Sequence, residues 1–284
     1  MRPLSAVGAV GGATLLVGYL SVVVLIPIAA LAAHGLGISI DTHGQGFAFW
    51  DWSLHTNFAG FWHTVTQPTA LQAIWLSLWL SLGVAALNAV AGIAIAWVLV
   101  RDEFPGKGLV EGVIDLPFAL PTIVAGIVFL FLYGASSPVH LDLYETRTIL
   151  FMALLFVTLP FSVRAVQPVL ESLDGHAEAA ARSLGASGFR TYRTIVLPSL
   201  LPAVLSGFGL AFARAIGEVG SLILVAGGLA HTTTASLLIY NLMQGPPSTQ
   251  VEAASVSVAL LVLSLVLLSS SSALSHHFSR RLTA

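Results

Sequence analysis

Long uncharged apolar runs, separated by short polar stretches, set the pattern of this chain. About 20 apolar residues at 1.5 Å per residue cross the hydrocarbon core of a bilayer, so such runs predict membrane-spanning helices. Six are legible, over about residues 4–33, 71–100, 109–133, 148–168, 199–226 and 251–273. The first follows Arg2 and is interrupted only by Pro27. Ala30-Leu31-Ala32 imitates a signal-peptide cleavage site, but the run is about twice the 7–15 residues of such a core, so a retained span is expected. Its Gly8-x-x-x-Gly12 spacing suits a helix contact, and is as readily chance in a glycine-rich chain.

Two of the spans are irregular. The third holds Glu111 and Asp115 on one helical face near its inner end, with Pro117 and Pro121 just above. Each proline removes a backbone hydrogen bond, which predicts a distorted helix end facing other protein. In the fifth, Gly209, Ala213, Gly217 and Ser221 recur every four residues as a small-residue stripe for a neighbouring helix. Beside it stand Arg214 and Glu218, four apart. Each would cost about 2.5–3.5 kcal/mol facing lipid, so both must face protein or a water-filled path. In one reading the pair neutralise each other and lock packing; in the other Arg214 adds positive potential to an anion pathway. Packing is favoured, because a neutralised pair attracts anions weakly.

The connecting segments add less. Residues 34–70 carry Asp41, Asp51, an aromatic cluster (Phe47, Trp50, Trp52, Phe58, Phe61, Trp62) and His34, His43, His55 and His63. No histidine pair has zinc-site spacing, and the aromatics predict a segment lying along the outer interface. Residues 134–147 read as a short turn-rich loop, and 227–250 as a polar outer loop with Pro246 and Pro247. Arg164, near the inner end of the fourth span, is expected to snorkel toward the headgroups rather than touch substrate. Glu252 edges the sixth span, and His276 and His277 fall in a solvated tail.

Composition agrees with a polytopic membrane protein. Of 284 residues, 56% are hydrophobic and 8% charged, and the mean hydropathy is +0.91. Soluble domains are roughly 45–50% apolar. The net charge of −2 implies no bulk attraction to nucleic acid, and the absence of cysteine removes disulfides and thiolate chemistry. Arg2, Arg101, Lys107, Arg182, Arg190, Arg193, Arg280 and Arg281, 8 of the 11 basic residues, fall on one side; Arg147 is opposite, and Arg164 and Arg214 lie within spans. Short loops rich in Lys and Arg stay cytoplasmic, which predicts both termini inside.

The cytoplasmic segment 171–198 is the most informative. Ser172 or Asp174 can cap a helix on which Ala177, Ala180, Ala181 and Leu184 mark a narrow apolar face, with Glu178 and Arg182 able to pair. Gly185 can end it in the left-handed conformation, Ser187 can cap a second short helix, and Pro198 suits the first turn of the fifth span. At about 25 cal/mol per Å², a face made mostly of alanine buries too little to hold a fold. It reads better as a plug for a groove on another protein.

Glu178-Ala179-Ala180-Ala181, Gly185 and Ile195-x-Leu197-Pro198 resemble the signature loop of permease subunits of bacterial ATP-binding cassette importers. Here Ala179 holds the position usual for the family's glutamate, six before the glycine, and Glu178 lies seven before it. Asp115-Leu-Pro117-Phe-Ala-Leu-Pro121-Thr122 resembles the third-span signature of sulfate-type permeases. Ala213-Arg-Ala-Ile-Gly217-Glu218-Val-Gly-Ser-Leu222 resembles a stretch of the T-type subunit of sulfate and thiosulfate permeases, with Val219 where Tyr or Phe is more usual. With Phe61-Trp62 and Arg101–Gly108, the resemblance covers about residue 60 to the sixth span.

The resemblance implies a single all-α permease domain with a coupling helix between spans four and five, in the inner membrane. It implies two ATPase subunits, a second W-type permease subunit, and a periplasmic or lipid-anchored sulfate-binding protein. ATP and magnesium would bind the partner ATPase. This chain itself has no phosphate loop, since Arg101 stands where glycine is needed and Gly108 where Ser or Thr would reach magnesium. Alternatives are a molybdate-type permease, or an autonomous secondary transporter using Arg214 and Glu218 as a charge relay. An intramembrane hydrolase lacks its parts: there is no His-Glu-x-x-His, and Phe189 breaks a nucleophile elbow at Gly185-Ala-Ser187-Gly.

Overall fold

The computed structural model describes residues 15–42, 52–173 and 175–283. Gly8, Gly12, His43, Phe47, Trp50, Asp51 and the alternative cap Asp174 lie outside them. The chain forms α1 (Leu15–Gly35), β1 (Ile38–Thr42), β2 (Trp52–Thr56), α2 (Phe58–Thr66), α3 (Pro68–Arg101), α4 (Lys107–Ala119) and α5 (Thr122–Tyr133). After these come α6 (Arg147–Ser172), α7 (Gly175–Ser183), α8 (Gly188–Ile216), α9 (Ala235–Gln244) and α10 (Pro247–Thr283). Of these, α1, α3, α6, α8 and α10 are long and apolar enough to cross a membrane, and α4 with α5 makes a bent pair that adds a sixth.

Two compact units share these elements. The smaller takes the described parts of residues 1–70 together with Ile239–Leu260. There Ser255 Oγ donates to the Gly35 carbonyl at 2.7 Å, tying the end of α1 to α10. β1 and β2 pair antiparallel, Ile38 opposite Thr56 and Thr42 opposite Trp52. This ribbon is the departure from an all-helical reading among the described residues. Its strands, Ile-Ser-Ile-Asp-Thr and Trp-Ser-Leu-His-Thr, each alternate apolar with polar, the period of a strand. Asn57 then caps α2 by accepting from the Gly60 N–H at 2.9 Å.

The larger unit, Leu71–Leu238 with Leu261–Ala284, is built on α3, α6 and α8. Ala96 and Leu99 of α3 pack with Val163, Val166 and Leu170 of α6 and Val196 and Leu200 of α8. Farther along, Leu76, Leu80 and Val84 meet Ile149, Leu150 and Leu154. Between the two clusters the three helices cross at Ser162. A Cβ on Gly92 would lie 2.9 Å from the Ser162 backbone, so something would have to shift there, and one on Gly207 would press tightly on the Ala165 Cβ at 3.0 Å. Asn88 donates across the crossing to Thr158 Oγ1 at 2.8 Å and to the Leu155 carbonyl at 3.1 Å.

Two predicted spans are interrupted. The third is two helices, α4 and α5, bent by 111°. Leu120 precedes Pro121 and is driven to extended backbone (φ −87°, ψ 133°), because the proline ring excludes the helical region for its neighbour. Pro117 stays inside α4, so Pro121 and not Pro117 makes the break. The fifth span ends at Ile216 instead of continuing to residue 226. Residues 217–226 are turns whose Leu222, Val225 and Ala226 are buried in the core. The small-residue stripe therefore stops short: Gly209 faces Ser271 of α10, whereas Ser221 is not on the helix.

Candidate functional site

The loop between α6 and α8 is fastened at one acid. Glu178, buried on the inner side of α7, accepts from Arg101 Nη2 at the end of α3 at 2.5 Å. The Arg182 pairing is the weaker one, at 3.5 Å. Arg101 also lies 5.5 Å from the centroid of Trp97, whose ring meets Tyr192 edge-on at 5.5 Å. Arg101, which the sequence offers as an orienting charge and not as a partner of the loop, is thus the partner that spacing missed.

With Glu178 turned inward, α7 turns its small residues out. Ala177, Ala179 and Ala180 are exposed, Ala181 is half-buried, and Leu184 is 88% exposed. Gly185 adopts φ +81°, a conformation glycine takes without strain, and ends the helix. The Gly185 N–H donates to the Arg182 carbonyl and the Ala186 N–H to that of Ala181, closing the final turn. Ser187 then caps α8 by accepting from the Arg190 N–H, and Phe189 beside it is 74% exposed. Ser172, the other proposed cap, instead donates to the Val169 carbonyl.

The second short helix is not separate. α8 runs from Gly188 through a π-helical turn at Tyr192–Val196 and past Pro198 to Ile216. Proline lacks an N–H and crowds the carbonyl four residues back, which the wider turn before Pro198 accommodates. Ile195, Leu197 and Pro198 are half-buried in this continuous rod.

At the far end of α8, Arg214 Nη1 meets Glu218 Oε2 at 2.6 Å, and Glu218 is 1% exposed. Its other oxygen accepts from the Ser221 N–H at 2.8 Å, and its carbonyl accepts from Ser236 Oγ. Gly217 caps the helix. Both carboxylate oxygens therefore have partners within the chain, and the Arg214 side chain is one-third exposed. Arg164 does not reach for headgroups; it grips both oxygens of Asp115 on α4 and donates to Gln167 at 2.6 Å. Among the described residues no cluster of His, Asp and Glu could hold a metal.

A long rod joined at one end to an exposed small-residue loop, and closed at the other by a buried ion pair, invites comparison with known transport proteins. Residues 88–284 match the family of binding-protein-dependent transport system inner membrane components. The chain belongs to that family. The matched region of this inner membrane component takes in α4 to α10, and with them the loop and the Arg101–Glu178 and Arg214–Glu218 pairs. The whole chain is 35% identical over 259 residues to the sulfate transport system permease protein CysT of Synechocystis sp., covering 87% of this chain and 84% of that protein. Against the CysT protein of Escherichia coli the identity is 36% over 233 residues, 79% and 83% of the two chains.

Its fold is that of permeases in solved importers. A chain of a bacterial ABC transporter involved in import of the acidic polysaccharide alginate superposes with a TM-score of 0.69 at 18% identity, over 97% of this chain and 96% of that one. A chain of the methionine ABC transporter MetNI, inward facing, gives 0.59 at 16% identity, over 73% and 95%. This component is accordingly a multi-pass inner membrane protein of the permease type.

Proposed function

We propose that this chain is one permease subunit of an ATP-driven importer of sulfate-type oxyanions, in which α7 and the start of α8 couple the pathway to an ATPase. The observation that carries the coupling role is the pairing of exposure with anchorage. Leu184 and Phe189 face outward beside Gly185, while Glu178 holds the same loop to α3. Burying each of those two side chains against a partner contributes about 1.5–3 kcal/mol. Ala177, Ala179, Ala180 and Ala181 let that partner approach closely. A loop so held transmits work if it binds the open and closed ATPase differently.

Both termini and this loop then face the cytoplasm, as the arginine distribution favours. ATP and magnesium act in two partner ATPase subunits, and a binding protein delivers the oxyanion. The CysT likeness supports sulfate and a distinct, W-type second permease subunit. A secondary transporter using Arg214 and Glu218 fits less well, since both carboxylate oxygens are held by partners within this chain, Arg214 and the Ser221 N–H.

The test is uptake of labelled sulfate and thiosulfate in vesicles holding all subunits. Gly185→Val, forced into a left-handed backbone, should abolish uptake and stimulation of the ATPase while membrane insertion persists. Normal uptake by that variant overturns the coupling role, and uptake by this chain alone overturns the importer reading.

A further inference from the structure

A cavity of about 710 Å³ opens between the cytoplasmic end of α3 and the loop. Its walls are apolar: Val90, Ala94 and Val98 on α3, Phe189 and Val196 on α8, and the Trp97–Tyr192 pair. From Val90 to Val98 it runs about 12 Å along the helix at 1.5 Å per residue, room for much of a hydrocarbon tail. In the same wall the buried hydroxyl of Thr191 has no partner.

Charge at the mouth is unbalanced. Arg101 and Arg182 share the single carboxylate of Glu178, at 2.5 and 3.5 Å, which leaves the trio with an excess positive charge. Arg182 is exposed, and so are Arg190 and Arg193, which pair with no acid among the described residues. An apolar slot one turn from the end of a span, with Trp97 beside it and surplus guanidinium at its rim, has the chemistry of an anionic lipid site at a membrane surface.

We infer that this groove holds an acyl chain of an inner-leaflet anionic phospholipid, its phosphate on Arg182, wedged between α3 and the coupling loop. The inference rests on the cytoplasmic placement of the loop proposed above. With the chain seated, the lipid stiffens the joint that Glu178 and Arg101 begin, and uptake becomes dependent on anionic lipid.

The test uses the complete importer in phosphatidylcholine vesicles, with and without phosphatidylglycerol. Wild type should transport several-fold faster with phosphatidylglycerol and retain that lipid in native mass spectrometry. Ala94→Trp, at an exposed position of the groove wall, should run at the wild-type rate in phosphatidylcholine yet lose both the gain and the retained lipid. Arg182→Gln should retain less lipid. If Ala94→Trp gains as much as wild type, or if soluble phosphate reproduces the gain without anionic lipid, the site is overturned. Because the chain lacks cysteine, Ser183→Cys reports the loop's side cleanly. Labelling from the outer face would remove the topology on which the site depends, whereas inner labelling with lipid-independent uptake defeats the lipid site alone.

Discussion

The segments that adjoin the two ends of α8, one on α7 and one at its close, begin as similar sequence, small residues and glycines with an arginine and a glutamate four apart, and finish as opposites. At the loop end Glu178 is taken by Arg101 of another helix, Arg182 is left largely in solvent, and Leu184 and Phe189 stand exposed. At the far end Arg214 and Glu218 close on each other, and Leu222, Val225 and Ala226 are buried against α3 and α6. Identical spacing thus yields a closed joint and an open one, according to whether a third partner competes for the carboxylate. Packed interiors shift as discrete units. A rod of 29 residues, about 40 Å at 1.5 Å each, fixed in the core at one end and free to bind at the other, is suited to carry a displacement.

The closed end should be the costlier to break. Glu218→Gln keeps an acceptor for the Ser221 N–H and strands Arg214 without its counter-charge. Removing one member of a buried pair costs about 3–5 kcal/mol, and the partial exposure of Arg214 places the loss near about 3. For a chain of this size thermal unfolding in detergent should fall by about 2–4 °C per kcal/mol. An unchanged midpoint would show that the far end is not locked by this pair. Arg101→Gln, by contrast, should cost about 1.5–3 kcal/mol locally, the worth of a charge-assisted hydrogen bond. Hydrogen exchange should rise across residues 175–190 while α3 and α6 stay protected; uniform loosening of the whole unit would contradict a local fastening.

Much of this architecture was legible. The length of the apolar runs locates the spans, and Gly185, Ser187 and Pro198 punctuate the loop as their backbone preferences require. Pro121 signals the α4–α5 break, but its 111° angle comes from Leu120 being forced extended and from packing beyond it. The fifth span was overrun because hydropathy reports removal from water, not backbone conformation: Leu222 and Val225 are as buried in turns as they would be in a helix. Gly217 and Gly220, with Gly227 and Gly228 at positive φ, were the available warning. The ribbon's alternation was visible in Ile38–Thr42 and Trp52–Thr56, overshadowed by the aromatics. Arg101–Glu178 and Asp115–Arg164 join residues 77 and 49 positions apart, a distance at which local spacing carries no signal.

The smallest expected change in stability should accompany a large change in function. Leu184 touches solvent over most of its surface, so Leu184→Ser removes no packing and should leave unfolding within about 0.5 kcal/mol of wild type. If the open end is where an ATPase seats, the same substitution removes an apolar anchor from that interface. About 1.5–3 kcal/mol of lost burial corresponds to a roughly 10–150-fold weaker grip. Co-purification of the ATPase and sulfate-driven hydrolysis should both drop, with the midpoint of unfolding unmoved. A stable variant that still holds its ATPase at full strength would mean that α8 is open at this end for some other reason, and that the contrast between its two ends is one of packing alone.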